Sequence, residues 1–110
     1  MIFKPWDIVV VPFPFVDKAV SKSRPALVLS DEKFNIKGLV ILSMITTARK
    51  TAHPFDVAIR DLSTTGLSFP SVVRWKMFTL DLPIIKKKIG YLSKKDSTGC
   101  LKILRAVLPS

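Results

Sequence analysis

The chain alternates short apolar runs with segments of turn-forming and charged residues, and this alternation restricts the folds open to it. Each run is five to ten residues long and rich in β-branched or aromatic side chains. Runs of this length and composition are typical of β-strands. The sequence therefore predicts six strands, over residues 7–15, 25–30, 39–46, 55–59, 71–80 and 86–92.

The first run, DIVVVPFPF, separates apolar side chains from prolines. At period two, one face carries Val9, Val11, Phe13 and Phe15. Pro12 and Pro14 share the other face, and proline has no N–H to donate to a neighbouring strand. We expect the second half of this strand to lie at an edge of the sheet or to curl away from it.

The last part of the chain changes to helical spacing. Apolar residues recur at intervals of three and four at Cys100, Leu101, Leu104, Val107 and Leu108. This pattern predicts a helix over residues 94–108, and Ser93 with Asp96 resembles a capping box at its start. We expect a bend or bulge at Gly90 in the sixth strand. Together the elements predict one mainly β domain over residues 1–110, a small barrel whose open side the helix covers.

The charge of the chain is strongly positive. Lys and Arg number 18 against 8 Asp and Glu, which gives a formal net charge of +10. On so small a body this excess attracts polyanions, and nucleic acid is the first partner to consider. A cationic protein with no nucleic-acid partner would have the same composition, so charge alone leaves both interpretations open.

Cysteine and histidine are too few for several kinds of site. Cys100 is the single cysteine and His53 the single histidine, so neither an internal disulfide nor a structural zinc site is expected. We expect no metal and no cofactor. A reducing cytoplasm fits best, because the first residues lack the pattern of a signal peptide and no apolar run is long enough for a membrane span.

Polar side chains collect at the predicted strand ends. Arg24 precedes the second strand, Thr46 and Thr47 close the third, and Ser71 and Arg74 bracket the start of the fifth. An Arg before a proline is most often a solvated loop residue. Its guanidinium, however, is a planar fork of five donors suited to phosphate.

These residues fall within an ordered set of motifs. The segments are DIVVVPFPFVD, KSRPALVLS, ILSMITT, PSVVRWKMFTLD and KKKIGYLS, from about residue 7 to residue 93. In order and spacing the set resembles the PemK/MazF family of toxin endoribonucleases, which occur in toxin–antitoxin pairs. Each motif is weak by itself, and the ordered set is specific.

The resemblance implies an SH3-like barrel, a homodimer, and metal-independent cleavage of single-stranded RNA. It also implies a cognate antitoxin whose acidic tail occupies the RNA groove. Arg24 matches the family's arginine in its R-P motif, Thr46 matches its strand-end threonine, and Arg74 matches a basic residue that some members place beside the scissile phosphate. With Arg24 and Thr46 as catalytic residues, the expected products are a 2′,3′-cyclic phosphate and a 5′-OH.

Further residues are predicted to bind RNA around this pair. Trp75 is a candidate for stacking on a base, although a buried or dimer-facing tryptophan is the commoner case. The loop lysines and arginines are candidates for phosphate contacts. The predicted RNA-binding set is Lys18, Lys22, Thr47, Arg49, Lys50, Ser71, Arg74, Trp75 and Lys76.

The chain departs from the family pattern at two places. Trp6 stands where the family commonly has a glycine before Asp-Ile-Val, and we expect this to alter only the entry to the first strand. Trp75 and Lys76 replace the acid that some members carry after the arginine of the fifth strand. Two alternatives therefore stay open: a non-catalytic barrel toxin that binds a protein such as DNA gyrase, and a nucleic-acid-binding module without cleavage activity.

Overall fold

The predicted runs form strands in the computed structural model, which describes residues 2–13, 22–48 and 52–109. Within these ranges the strands are β1 (Asp7–Phe13), β2 (Lys22–Val28), β3 (Leu39–Thr47), β4 (Val57–Ala58), β5 (Ser71–Asp81) and β6 (Lys87–Tyr91). A short helix α1 (Glu32–Asn35) precedes β3, a 3-10 turn (Leu82–Ile84) follows β5, and helix α2 (Lys94–Val107) ends the fold.

The strands form one antiparallel sheet in the order β4-β5-β3-β2-β1-β6, which curls into a half-barrel. The prediction of a mainly β fold with a C-terminal helix is thereby confirmed. Strand β6 pairs only with the first half of β1, from Asp7 to Val10. Pro12 consequently has a partner on the β2 side alone, as its missing N–H predicts, whereas Pro14 and Phe15 lie outside the described residues.

Apolar side chains are buried on both faces of the sheet. Ile8 and Val9 are neighbours in β1, point to opposite faces, and are both fully buried. Val9 and Val11 pack in one cluster, while Ile8 packs in a second cluster that includes Cys100 of α2. The predicted face of Val9 and Val11 is confirmed, and the burial of Ile8 on the other face was not foreseen.

The largest differences from the sequence prediction lie in three segments. Strand β2 begins at Lys22 instead of residue 25, because β1 continues to Phe13 and offers a partner at each step. Strand β4 keeps only two of its five predicted residues. Residues 31–38, between the second and third predicted strands, contain α1. The buried side-chain amide of Asn35 in α1 donates to the carbonyl oxygens of Phe3 (2.8 Å) and Ser30 (3.0 Å).

Helix α2 begins at Lys94 as predicted, and Cys100 is its only buried apolar side chain. Ser93 caps it by accepting a hydrogen bond from the N–H of Asp96 (3.2 Å). The capping-box prediction is wrong for the reciprocal bond, because the buried Asp96 carboxylate instead accepts from the backbone N–H groups of Arg60 and Asp61. Cys100 is fully buried, and this burial, with nearby Asp96, raises the pKa of its thiol to about 12.

Strand β5 contains a bulge of two extra residues. Ser43 of β3 lies opposite Met77, and the next residue of β3 lies opposite Arg74, so Trp75 and Lys76 have no partner in the register. Bulges re-aim side chains and free backbone groups from the ladder. Here the buried Ser43 hydroxyl donates to the carbonyl oxygen of Arg74 (2.7 Å), which stabilises the distortion.

Val73 of β5 pairs with Val57 of β4, and this register brings Arg74 beside the turn that precedes β4. Its guanidinium donates to both carboxylate oxygens of Asp56, at 3.2 Å from Nε and 2.8 Å from Nη2. The N–H of His53 donates to the same carboxylate (3.0 Å). The Arg74 hydrogen bond is the main cause that lowers the pKa of Asp56, burial opposes it, and the His53 bond adds to the lowering.

Trp6 provides a test of backbone strain. Its φ is 76°, in the left-handed region that costs a residue with a side chain about 1 kcal/mol. Bonds from its N–H to Val28 and from the N–H of Leu92 to its carbonyl hold the backbone there. We expect Trp6→Gly to have a higher free energy of unfolding than Trp6→Ala by about 1 kcal/mol. Urea denaturation measures this, and an alanine variant as stable as the glycine variant would contradict it.

The Asp56–Arg74 ion pair predicts a pH dependence of stability. Because the folded-state pKa of Asp56 lies below its ordinary value of 3.8, the unfolded state binds its proton first as the pH falls. The pair therefore stabilises the fold above this value, and the contribution is lost as the pH falls through the folded-state pKa. We expect wild type to lose more stability below about pH 4 than Asp56→Asn does. Equal slopes in acid denaturation would count against the pair.

Arg74→Gln is the matched control for this experiment. Since it removes the partner and leaves the carboxylate, it should flatten the same part of the pH profile. The double variant should then behave like either single variant, because both lack the same interaction.

Candidate functional site

A cleft lies where strands β2 and β3 stop pairing. Their ladder ends at the pair of Ala26 and Met44, and the next residue of β2 is Pro25, which has no N–H to donate. Beyond this point β2 stays paired with β1 as far as Lys22, and β3 stays paired with β5 as far as Thr47. The two strands therefore form the sides of a cleft of about 360 Å³.

Arg24 and Thr46 line this cleft from opposite sides. Arg24 lies inside β2, opposite Val11 of β1, and its side chain is exposed. Its guanidinium carbon is 5.6 Å from the centre of the Phe13 ring, a cation–π contact that restricts the position of the charge. The structure thus brings together the two residues predicted to be catalytic, and it places the arginine on a strand instead of a loop.

The hydroxyl groups near Arg24 differ in whether they are free to bond to a ligand. Thr46 is half-buried and Thr47 is exposed, and both line the cleft. Ser71 lies opposite Thr47 in β5, but it is buried and its hydroxyl donates to the carbonyl oxygen of Phe69 (2.8 Å). Thr46 and Thr47 can therefore offer hydroxyl groups to a ligand, whereas Ser71 positions the backbone beside the cleft.

The loop before β5 supplies a third wall, at residues 66–69. Two glycines allow it to pack closely on β6. A Cβ on Gly66, whose φ is 73°, would lie 2.3 Å from the carbonyl oxygen of Ile89, and one on Gly90 would lie 2.4 Å from that of Thr64. The bulge predicted at Gly90 lies at the neighbouring residue: Ile89 of β6 has no partner in β1.

Sequence reasoning missed this third wall. Gly66 and Pro70 are typical of a connection between strands and do not by themselves indicate a binding surface. The available signal was Phe69, an apolar side chain in a polar segment, which is 66% exposed in the structure. Its position beside Thr47 depends on packing between segments far apart in the chain, so the sequence alone did not place it.

Three predicted RNA-binding residues lie outside the cleft. Arg74, Trp75 and Lys76 line a separate recess of about 190 Å³ together with His53 and residues 54–56. Trp75 donates its indole N–H to the carbonyl oxygen of Phe55 (2.7 Å) and packs against the second apolar cluster. Arg74 lies there because the pairing of β4 with β5 brings it beside Asp56.

Asp56 is a second residue that sequence reasoning missed. The family pattern places an acid after the arginine on the same strand, where this chain has Trp75 and Lys76. The structure supplies the carboxylate from the turn before β4, at 2.8 Å from Arg74. A strand of two residues is too weak a pattern to reveal this pairing in advance.

The other predicted contacts fall in two groups. Lys22 is exposed and lies two residues before Arg24, so both side chains are on one face of β2. Lys86 adds a further cation, since its Nζ donates to the hydroxyl of Ser23 in the cleft (2.8 Å). Lys18, Arg49 and Lys50 lie outside the described residues.

Residues 2–13, 22–48 and 52–109 contain no group of three or more His, Cys, Asp and Glu side chains that could hold a metal ion. Over the same ranges, no helix has the length and apolar character needed to cross a membrane.

Solved structures with the same fold include toxins and their complexes. MazE–MazF from Deinococcus radiodurans, in one crystal form, has a TM-score of 0.77 and 21% identity, covering 97% of this chain and 96% of that chain. An endoribonuclease in complex with its cognate antitoxin, from a mycobacterial species, has a TM-score of 0.76, 18% identity and 98% coverage of both chains. The Mycobacterium tuberculosis toxin MazF-mt6 has a TM-score of 0.68 and 24% identity, covering 89% of this chain and 91% of that chain.

A search of curated proteins gave no match. The model of the family described as PemK-like, MazF-like toxins of type II toxin–antitoxin systems matches residues 4–108, nearly the whole chain. The match spans both sides of the cleft and the helix that follows the sheet. The chain therefore belongs to the PemK-like, MazF-like family of toxins of type II toxin–antitoxin systems.

Proposed function

We propose that this protein is a metal-independent endoribonuclease that cuts single-stranded RNA in the cleft between β2 and β3. The observation that carries the proposal is the position of Arg24 and Thr46 on opposite sides of one cleft in a chain of net charge +10. Membership of a toxin family, and a similar fold in a structure described as an endoribonuclease, support it.

RNA supplies its own nucleophile for this reaction. The ribose 2′-oxygen forms a bond to phosphorus while the bond to the 5′-oxygen breaks. The 2′-OH gives its proton to solvent water, and the 5′-oxygen takes a proton from water. The transition state carries extra negative charge on the phosphate oxygens, which donors already fixed in place stabilise. The products are a 2′,3′-cyclic phosphate and a 5′-OH.

Arg24 and Thr46 take different parts in this mechanism. An arginine stays protonated in proteins, so Arg24 acts by holding the developing charge, and its N–H groups can reach the leaving oxygen. Thr46 donates a hydrogen bond to a non-bridging oxygen. Asp56 is not the base of this cleft, since Arg74 holds it in the other recess.

Basic side chains guide the RNA without reading its sequence. Lys22 continues the cationic face of β2 beyond Arg24, and Lys86 lies beside Ser23. Contacts of this kind bind phosphates and weaken as salt rises. Lys18, Arg49 and Lys50 remain predicted members of this path, and Arg74 with Lys76 would contact RNA only if the strand extends to the second recess.

An acidic antitoxin fits the same surface. The structural neighbours include MazE–MazF complexes and an endoribonuclease bound to its cognate antitoxin. An acidic segment of such a partner would neutralise the cleft and compete with RNA for Arg24. We place the reaction in the cytoplasm, where messenger RNA is available.

A homodimer remains part of the proposal. Helix α2 leaves Leu101 and Leu108 exposed and Leu104 half-buried, at spacings that put the three on one side of the helix. A second copy could cover this face. In the alternative function, a non-catalytic toxin would bind its protein target through the same face. An assay of RNA cleavage therefore decides between an endoribonuclease and a protein-binding toxin.

RNA cleavage tests the catalytic pair. With a labelled single-stranded RNA and a chelator present, wild type should cut RNA and leave a 2′,3′-cyclic phosphate. Arg24→Ala should lower the rate at least about 100-fold, because a positioned donor to the developing charge is lost. Thr46→Val should lower it about 10-fold, and Thr46→Ser should retain most of the activity.

The matched control is Lys102→Ala, which removes a positive charge from an exposed position of α2 away from the leucine face. It should cut RNA at nearly the wild-type rate. Inhibition by the chelator would contradict the metal-independent mechanism. Intact RNA at a large excess of wild-type protein would remove the nuclease and leave the protein-binding or nucleic-acid-binding alternative.

The oligomeric state tests the role of the α2 face. We expect sedimentation velocity to give the mass of two chains for wild type and of one chain for Leu101→Glu combined with Leu108→Glu, because both charges would be buried in the interface. Lys102→Glu, on the same helix, is the control and should stay dimeric. A wild-type mass of one chain would exclude the dimer.

A further inference from the structure

We propose that Phe69 is a stacking platform for one unpaired nucleobase of the RNA held in the cleft. This inference rests on the proposed function and assigns a base-binding subsite to it. Phe69 is 66% exposed, more than any other large apolar side chain of the described residues. It lines the same cleft as Arg24 and Thr46.

The backbone around Phe69 is fixed, so the ring is presented at a defined place. The Ser71 hydroxyl donates to its carbonyl oxygen (2.8 Å), and the N–H of Ala48 donates to the carbonyl oxygen of Pro70 (3.0 Å). The proline that follows also restricts Phe69 to extended conformations. An aromatic ring held in place loses little freedom when it binds a ligand, which favours a binding role for this exposed side chain.

The surroundings of the ring suit a flat, mostly apolar ligand with polar edges. Phe69 also borders a recess of about 280 Å³ that adjoins the cleft, lined by Thr47, Ala48, Phe69 and Pro70. The apolar side chains can contact the face of a base, and the Thr47 hydroxyl can bond to its edge. Thr46 and Arg24 on the adjoining side of the cleft would hold the phosphate of the same nucleotide step.

Trp75 does not compete for this role in the cleft. Its indole N–H is bonded to the carbonyl oxygen of Phe55, and its ring lies in the separate recess with Arg74. Among the residues that the structure describes, Phe69 is the aromatic side chain that lines both the cleft between β2 and β3 and the adjoining recess. The stacking role predicted for Trp75 is accordingly assigned to Phe69.

Binding of a non-cleavable RNA tests the inference separately from catalysis. The probe is a short single-stranded 2′-O-methyl RNA, selected from a random pool for tight binding to wild type, with its Kd measured by fluorescence anisotropy. Phe69→Leu keeps an apolar side chain without an aromatic face and should weaken binding about 5- to 150-fold, the range that base–aromatic stacking spans. Phe69→Tyr and Phe69→Trp should bind within a few-fold of wild type.

An abasic scan of the probe identifies the contact. Removal of one particular base should weaken binding to wild type and have little effect on Phe69→Leu, because both changes remove the same interaction. The slope of the logarithm of RNA affinity against the logarithm of salt concentration should be unchanged in Phe69→Leu. Lys22→Ala should reduce this slope, because it removes a contact to phosphate. Since Phe69 is exposed, the thermal unfolding of its variants should match wild type.

Several results would overturn the inference. They are a Phe69→Leu variant that binds the probe as tightly as wild type, an abasic position whose effect is the same in both proteins, and a wild type that binds no RNA. A Phe69→Leu defect confined to antitoxin binding would also overturn it, since the ring would then serve a protein partner. A wild type that binds RNA through Phe69 but cuts none would support the platform and refute the nuclease.

Discussion

The end of the β2–β3 ladder is the constraint on which the site depends. A continuous ladder would seal the two strands together, and Arg24 would then face the same solvent as any surface arginine. The pairing instead stops at Ala26 and Met44, next to Pro25. Each strand keeps its other partner, so the opening has rigid sides and presents a guanidinium and a threonine hydroxyl across it.

Strand pairing elsewhere in the sheet then decides which side chains share that opening. The pairing of β4 with β5 brings Asp56 beside Arg74, and their ion pair holds Arg74 in the second recess. The bulge in β6 and the close packing at Gly66 and Gly90 bring the loop before β5 against the cleft. The first arrangement removes a cation that the sequence suggested, and the second adds an aromatic ring that it did not.

The sequence predicted the elements and the central pair, because both depend on local patterns. Period-two apolar runs predict strands, and the ordered motifs place Arg24 and Thr46 at corresponding family positions. The partner of Arg74 and the position of Phe69 depend on contacts between distant segments, which no local pattern records. Trp6 is a further example. Its φ of 76° lies in the region that glycine adopts without strain, and a tryptophan in the sequence gives no indication of this backbone conformation.

Charge connects substrate binding with inhibition in the proposed function. None of the described residues that line the cleft is acidic, and Arg74 holds the nearby carboxylate of Asp56 in the other recess. The cleft thus keeps the positive potential that a chain of net charge +10 provides, and this potential draws any polyanion toward Arg24. RNA and an acidic antitoxin segment would therefore be attracted by the same field to the same guanidinium. Binding of one then excludes the other without any change of fold, because the competition is for charge already in place.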